Sequence, residues 1–155
     1  MTTTTDSSPT GSKDIKKKYT GHCACGQVTW GFDSEPTFVA NCHCDDCKRA
    51  SGAEMTTWVV VPETDFTFSG PTKSFSYPAN TETCANQGLD RVFCTNCGSR
   101  FVTNNLQDGS GIVYVQEGTF DRFEEWFAPQ AEIFTWARQP WMPPLDLPQF
   151  DHGPS

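Results

Sequence analysis

The chain has 155 residues, a formal net charge of −8 and 13% aromatic side chains. This length fits one domain with a hydrophobic core of its own, so folding does not depend on disulfides. The acidic balance disfavours nonspecific binding to nucleic acid and to anionic membranes, because both need a basic protein surface. The sequence shows no secretory signal, and no run approaches the ~18 apolar residues of a membrane-spanning helix. We therefore expect a cytoplasmic protein, whose clustered cysteines bind metal or take part in catalysis rather than form disulfides.

Residues 1–18 are rich in Thr, Ser and Lys and predict a disordered leader. Short runs of alternating or β-branched residues follow and predict strands. Gly, Pro and Asn separate these runs, which indicates a mostly antiparallel β domain with little helix over residues 19–143. The predicted strands are QVTWGF (27–32), MTTWVVV (55–61), FTFSG (66–70), KSFSY (73–77) and GIVYVQEGTF (111–120).

Three other segments have a distinct composition. CDDCKRAS (44–51) suits a brief helical turn, and AEIFTWA (131–137) fits either a strand or a short helix. Residues 144–155 form a proline-rich tail that can be neither helix nor central strand. We expect the proline-rich end to lie along the domain as a strap, with Trp141, Met142 and Leu145 as its anchors.

Four of the eight cysteines form two closely spaced pairs. Cys23 and Cys25 make one pair, Cys94 and Cys97 make the other, and a glycine follows each pair. This is the pattern of a zinc knuckle, and zinc in structural sites takes four tetrahedral ligands. The two pairs together predict a closed site that stabilises the fold.

The stretch NCHCDDC contributes a second group, Cys42, Cys44 and Cys47. Three protein ligands with one open position are typical of catalytic zinc. A fourth ligand from Cys84, His43 or an acidic residue would close this site instead. We favour the open form, and we expect His43 to lie at the surface or to support a ligand rather than to bind metal itself.

The motifs GHCACGQVTW, NCHCDDCKRASG, RVFCTNCGSRF and AEIFTWARQPWM resemble the glutathione-dependent formaldehyde-activating enzyme family, also called the GFA or centromere-protein-V family. The resemblance implies an Mss4-like fold, a small zinc-braced antiparallel β-tent. It implies two zinc ions, with glutathione as a co-substrate that forms an adduct with an aldehyde. The structural zinc then falls on Cys23, Cys25, Cys94 and Cys97, and the catalytic zinc on Cys42, Cys44 and Cys47.

The leading functional hypothesis is a zinc-dependent carbon–sulfur lyase that acts on a small carbonyl compound or its thiol adduct. One alternative is a tailoring enzyme of specialised metabolism that uses the same zinc as a Lewis acid for elimination, hydration or cyclisation without glutathione. Another is a non-catalytic, zinc-braced interaction module. A small-molecule substrate is expected in the first two cases, and the oligomeric state stays open.

Residues near the cysteine motifs supply candidates for the other roles. His43, Glu54 and Arg91 are candidates for catalysis, and Lys48 and Arg49 are candidates for binding the anion of a thiol substrate. Arg100 also flanks a cysteine motif. The alternative role of these cations is to balance the charge of an anionic zinc–thiolate centre.

Overall fold

A computed structural model describes residues 15–80, 83, 88–105, 111–121 and 127–154. Over these residues the chain is mostly β with one short α-helix, as predicted. Most of the predicted leader, residues 1–14, lies outside the described part. The elements are β1 (Tyr19–His22), β2 (Thr29–Phe32), β3 (Phe38–Cys42), α1 (Asp45–Ser51), β4 (Thr56–Pro62), β5 (Thr67–Ser69), β6 (Thr72–Tyr77), β7 (Leu89–Cys94), β8 (Arg100–Asn105), β9 (Ile112–Gln116), β10 (Ala131–Ile133) and β11 (Gln149–Phe150).

The strands form two sheets. The larger has eight strands in the order β11-β10-β3-β4-β9-β8-β7-β6, and the smaller has three in the order β1-β2-β5. All pairs are antiparallel except β10 with β3 and β10 with β11. Strand β3 therefore connects the antiparallel sheet to the chain's C-terminal segment through β10.

Alternation along the central strands divides the large sheet into two faces. One face packs on the smaller sheet and forms the main core, in which Trp30 and Phe120 meet edge to face at 4.6 Å. Trp58 and Tyr114 point to the opposite face, where they pack near Cys42. The valines of the core face are Val59, Val61, Val113 and Val115.

Two segments end differently from the sequence expectation. The predicted strand over 111–120 stops at Gln116, because Glu117–Thr119 form a 3-10 turn that returns Phe120 to the core. The ambiguous segment 131–137 contains both alternatives, strand β10 followed by a 3-10 turn at Thr135–Ala137.

The C-terminal segment lies along the domain, and Met142 is half-buried, but the other two predicted apolar anchors are wrong. The side chains of Trp141 and Leu145 are exposed, at 67% and 47%. The segment is held instead by the pairing of β11 with β10 and by polar contacts to Glu132. Among the described residues no helix is long and apolar enough to cross a bilayer.

Candidate metal centres

The first candidate centre brings together two loops that are distant in sequence. Cys23 and Cys25 follow β1, Cys94 is the last residue of β7, and Cys97 lies in the turn that leads to β8. The four sulfur atoms lie within 4.8 Å of one another. In each loop the glycine amide donates to the carbonyl of the first cysteine at 2.9 Å, from Gly26 three residues after Cys23 and from Gly98 four residues after Cys94. Both glycines have a positive φ, 74° and 75°, which an L side chain rarely adopts.

The sulfur spacing fits a tetrahedral thiolate-bound ion. Cys25 Sγ lies 3.5 Å from Cys23 Sγ and 3.8 Å from Cys94 Sγ. Four sulfurs at ~2.3 Å from one zinc ion would be about 3.8 Å apart. Burial raises the pKa of the Cys23 thiol to about 11. Burial also opposes ionisation of Cys97, but hydrogen bonds from Ser99 and the backbone outweigh it and lower that pKa to about 6. The Cys23 thiol therefore resists ionisation, whereas the Cys97 thiol ionises readily. A bound cation would favour the thiolate form of both.

The second candidate centre lies where β3 meets α1. Cys42 ends β3, Cys44 is the N-cap of α1 and Cys47 lies in its first turn. All three are buried, and their sulfurs lie within 4.8 Å of one another. The Cys47 amide donates to Cys44 Sγ at 3.4 Å, so the helix start and the sulfur cluster are one structure.

The short helix has clear local signals. Asp45 and Asp46 occupy its first turn, where negative charge is favourable. Gly52 ends it in the left-handed conformation, and its amide donates to the carbonyl of Lys48. These signals explain why the composition of CDDCKRAS predicts a helical turn.

Two donors from the large sheet point at the sulfur of Cys47. Trp58 Nε1 lies 3.3 Å from Cys47 Sγ, and an Arg91 guanidinium nitrogen lies 3.9 Å from it. Arg91 is almost fully buried, with its guanidinium 5.0 Å from the ring centre of Tyr77 and 5.9 Å from that of Trp58. Such donors favour the thiolate form of a sulfur ligand.

Phe134 covers the same cluster in an unusual backbone conformation. Its φ of 54° is positive, and it is the one non-glycine residue of the described chain with this property. The residue is buried and packs with the three cysteines, Trp58 and Ile133. Strained backbone of this kind concentrates at functional sites.

His43 is buried, so of its two expected positions the one at the surface is wrong. It follows Cys42 and leaves β3 on the opposite side, where its Nε2 lies 2.8 Å from Glu132 Oε1. The Glu132 carboxylate also accepts from Arg138 at 3.0 Å, from the Leu145 amide at 2.8 Å and from Gln149 at 2.9 Å. Burial opposes ionisation of Glu132, but these hydrogen bonds and Arg138 outweigh it and hold the pKa of the carboxyl below its usual range.

The other sequence candidates occupy varied positions. Lys48 Nζ donates to the Ala137 carbonyl at 2.7 Å and pairs with Asp45 at 3.1 Å, so it links α1 to the segment after β10. Arg49 and Glu54 are exposed. Cys84 lies outside the described residues. Its neighbour Thr83 is described, and the Thr83 hydroxyl donates to Asp46 in α1 at 2.5 Å.

Several residues around the second centre escaped the sequence analysis. Trp58 lies in β4, Tyr77 ends β6, and Glu132 and Phe134 belong to β10 and the residue after it. Each reaches its partner through sheet pairing or packing over a long sequence distance, and no local spacing marks it. The β-branched run containing Trp58 predicts a strand but not its contact with Cys47.

The comparisons with known proteins concern the fold and the family. No curated protein matches this sequence. A crystal structure of a Rhodobacter sphaeroides protein, a structural genomics target, has a similar fold with a TM-score of 0.50 and 18% identity, over 66% of this chain and 87% of that one. The sequence profile of the glutathione-dependent formaldehyde-activating enzyme family matches residues 18–137, which include all seven clustered cysteines. The chain therefore belongs to the glutathione-dependent formaldehyde-activating enzyme family.

Proposed function

We propose that this chain is a zinc-dependent lyase that makes or breaks a carbon–sulfur bond between a thiol, such as glutathione, and a small carbonyl compound. The observation that carries the proposal is the buried cluster of Cys42, Cys44 and Cys47, which has Trp58 and Arg91 directed at one sulfur. Family membership supports the link to glutathione and formaldehyde.

The proposed reaction is a reversible addition without a redox change. The thiol sulfur forms a bond to the carbonyl carbon, the carbonyl π bond breaks, and the thiol proton is transferred to the carbonyl oxygen. The product is a hemithioacetal, and the reverse reaction releases thiol and aldehyde. A zinc ion held by three thiolates supplies a Lewis-acid position that favours a soft sulfur ligand and lowers the pKa of a bound thiol.

The chain's own residues prepare this position. Trp58 and Arg91 stabilise negative charge on Cys47, because both present N–H groups to its sulfur. Phe134, Ile133 and Tyr114 pack around the cluster and limit its contact with water. His43 contacts Glu132 instead of facing the cluster, so we assign it no part in proton transfer.

The four-cysteine cluster has a different role in this proposal. Cys23, Cys25, Cys94 and Cys97 would hold a zinc ion that joins the β1–β2 loop to the β7–β8 turn. Four thiolate ligands leave no position for a substrate, which is the usual form of a structural site.

Exchange spectroscopy by NMR tests the activity. Formaldehyde labelled with carbon-13 and glutathione equilibrate with their hemithioacetal, and the protein should accelerate this exchange on the order of 10²-fold, since Lewis-acid assistance is worth several kcal/mol. The matched control is the protein with Cys42→Ser and Cys47→Ser, checked for fold by circular dichroism. An equal exchange rate with both proteins would contradict the proposal.

Cobalt substitution tests whether an exogenous thiol can enter the coordination sphere. Thiolate-to-cobalt charge-transfer bands report the number of bound sulfurs, and added glutathione should strengthen them in the wild type. The change should vanish in the double variant. If Cys84→Ala alone weakens the bands and added thiol has no effect, Cys84 closes the site, and a structural or interaction role replaces the enzymatic one.

A further inference from the structure

A β-bulge determines which way Arg100 faces. Residues of β7 and β8 pair regularly from Leu89 with Asn105 to Val92 with Val102, and then the register shifts so that Phe93 pairs with Arg100. Phe101 is the additional residue, and both it and Val102 are buried in the main core. Without the bulge, strict alternation would turn Phe101 away from the core and Arg100 toward it.

With the bulge, Arg100 shares the sheet face of Arg91, the face that bears Trp58 and the three-cysteine cluster. Its charge is close enough to interact with those of Arg91 and Cys47. Burial lowers the pKa of the Arg100 guanidinium, and the neighbouring charge of Arg91 lowers it further. Arg100 thus lies on the same face of β7 and β8 as Arg91, whose guanidinium is directed at the buried Cys47 sulfur.

Arg100 differs from the other cations near the cluster in its contacts. Lys48 is held by Ala137 and Asp45, and Arg91 is directed at Cys47 between two aromatic rings. For Arg100 the described residues provide neither an ion pair nor a hydrogen bond. Arg100 is half-buried, so its guanidinium loses part of its hydration without gaining a carboxylate partner, which costs free energy. An anionic ligand that binds to this guanidinium would offset that cost.

We propose that Arg100 is a specificity-determining residue that binds a carboxylate of the ligand beside Cys47. The inference rests on the proposed function, because it assumes that a ligand approaches the three-cysteine centre. It moves the anion contact from Lys48 and Arg49, the candidates from sequence, to the face of β7 and β8. The carboxylate can belong to the thiol or to the carbonyl compound, and the chemistry of the contact is the same.

Two matched pairs of probes separate these sources. The thiol pair is 3-mercaptopropionate and the uncharged 3-mercapto-1-propanol, titrated into cobalt-substituted protein and followed by the charge-transfer bands. The carbonyl pair is glyoxylate and acetaldehyde, titrated into zinc-loaded protein by calorimetry. Each pair is measured with wild type, Arg100→Gln and Lys16→Gln, which changes an exposed charge on β1's N-terminal side.

In at least one pair the wild type should bind the anionic probe about tenfold more tightly than the neutral one. Arg100→Gln should lose this preference while its cobalt spectrum without ligand and its circular dichroism stay unchanged. Lys16→Gln should keep the preference. A wild type without charge preference in both pairs, or a preference that survives in Arg100→Gln, overturns the proposal.

The outcome also separates this inference from the function on which it rests. If the neutral thiol changes the cobalt bands but charge makes no difference, the anion site fails and the proposed lyase stands. If neither thiol changes the bands, the proposed thiol chemistry fails, and the carbonyl pair alone decides whether Arg100 binds a carboxylate. Failure of glyoxylate to bind as well would overturn both.

Discussion

His43 Nε2 lies 2.8 Å from Glu132 Oε1, and both side chains are buried behind the segment that carries Cys42 and Cys44. The second oxygen of Glu132 accepts hydrogen bonds from the C-terminal segment, including Gln149 at 2.9 Å. One carboxylate therefore ties the cysteine segment to the strap that ends the chain. The motif around His43 predicted metal chemistry, whereas the contact of His43 is structural.

Glu132→Ala should destabilise the protein by about 3–5 kcal/mol, because it leaves the buried His43 and the half-buried Arg138 without their shared acceptor. Urea unfolding measures the change, and limited proteolysis should show earlier cleavage after residue 138. Glu54→Ala is the control, since Glu54 is exposed and its loss should change stability by less than about 0.5 kcal/mol. Equal stability of the two variants would show that the network around Glu132 contributes little.

The two cysteine clusters should respond differently to a single serine. Structural zinc contributes an apparent ~10–16 kcal/mol in finger peptides, more than the ~5–15 kcal/mol that stabilise a whole domain. Cys94→Ser should therefore unfold the chain or leave it without fixed packing. Cys44→Ser should stay folded and lose one zinc of about two, because serine is also a good N-cap for α1.

Metal analysis and near-ultraviolet circular dichroism of the two variants measure this difference. Wild type should contain close to two zinc ions per chain. Unfolding of both variants to the same extent would contradict separate roles for the clusters, and a metal-free wild type with disulfides would refute the zinc proposal as a whole.

Trp58→Phe should weaken metal retention at the three-cysteine centre. The substitution removes the N–H group 3.3 Å from Cys47 Sγ, and loss of a hydrogen bond to a metal ligand typically costs about 10–100-fold in affinity. Competition with a chelator should release one metal ion early while the other stays bound. Trp141→Phe is the matched control at an exposed position and should behave as wild type. Simultaneous release of both ions would argue against a local effect.

Asp65 should make the stability depend on pH in the acidic range. Its carboxylate accepts the Ser34 and Asp33 amides at 2.7 and 2.8 Å and pairs with Lys17 at 3.1 Å. These contacts, with the Ser34 amide first, hold the pKa of Asp65 far below its ordinary value of about 3.9. A lowered folded-state pKa means that the stabilisation is complete above the unfolded-state pKa and decreases progressively as the pH falls from that value through the folded-state pKa.

Asp65→Asn should cost about 1–3 kcal/mol at pH 6, because the amide keeps the shape but loses the charge. The difference from wild type should shrink as the pH falls from 5 to 3. Comparing both proteins at each pH removes acid effects that they share, and Asp146→Asn serves as an exposed control. If the difference in stability stays constant over this range, the charge of Asp65 does not contribute to the stability of the folded protein.

Features that depend only on neighbouring residues could be predicted from the sequence. Spacing within CAC, CHCDDC and CTNC restricts each group of thiols to one short loop or helix start, and the glycines after the knuckles allow the positive φ that these turns need. Runs of alternating or β-branched residues predicted the strands that bear the core, such as β4 and β9. The helical turn at Cys44 was predictable because its caps and charges lie within eight residues of one another.

Which distant residues surround the cysteines depends on strand pairing and packing. Cys25 meets Cys94 across 69 positions, and His43 meets Glu132 across 89, because strand pairing fixes contacts that no local pattern encodes. A shift of one residue in β8 decides whether Arg100 faces the core or the cluster, since side chains alternate along a strand. The chemistry of each side chain could be read from the sequence, but the register of the sheet determined which side chains act together.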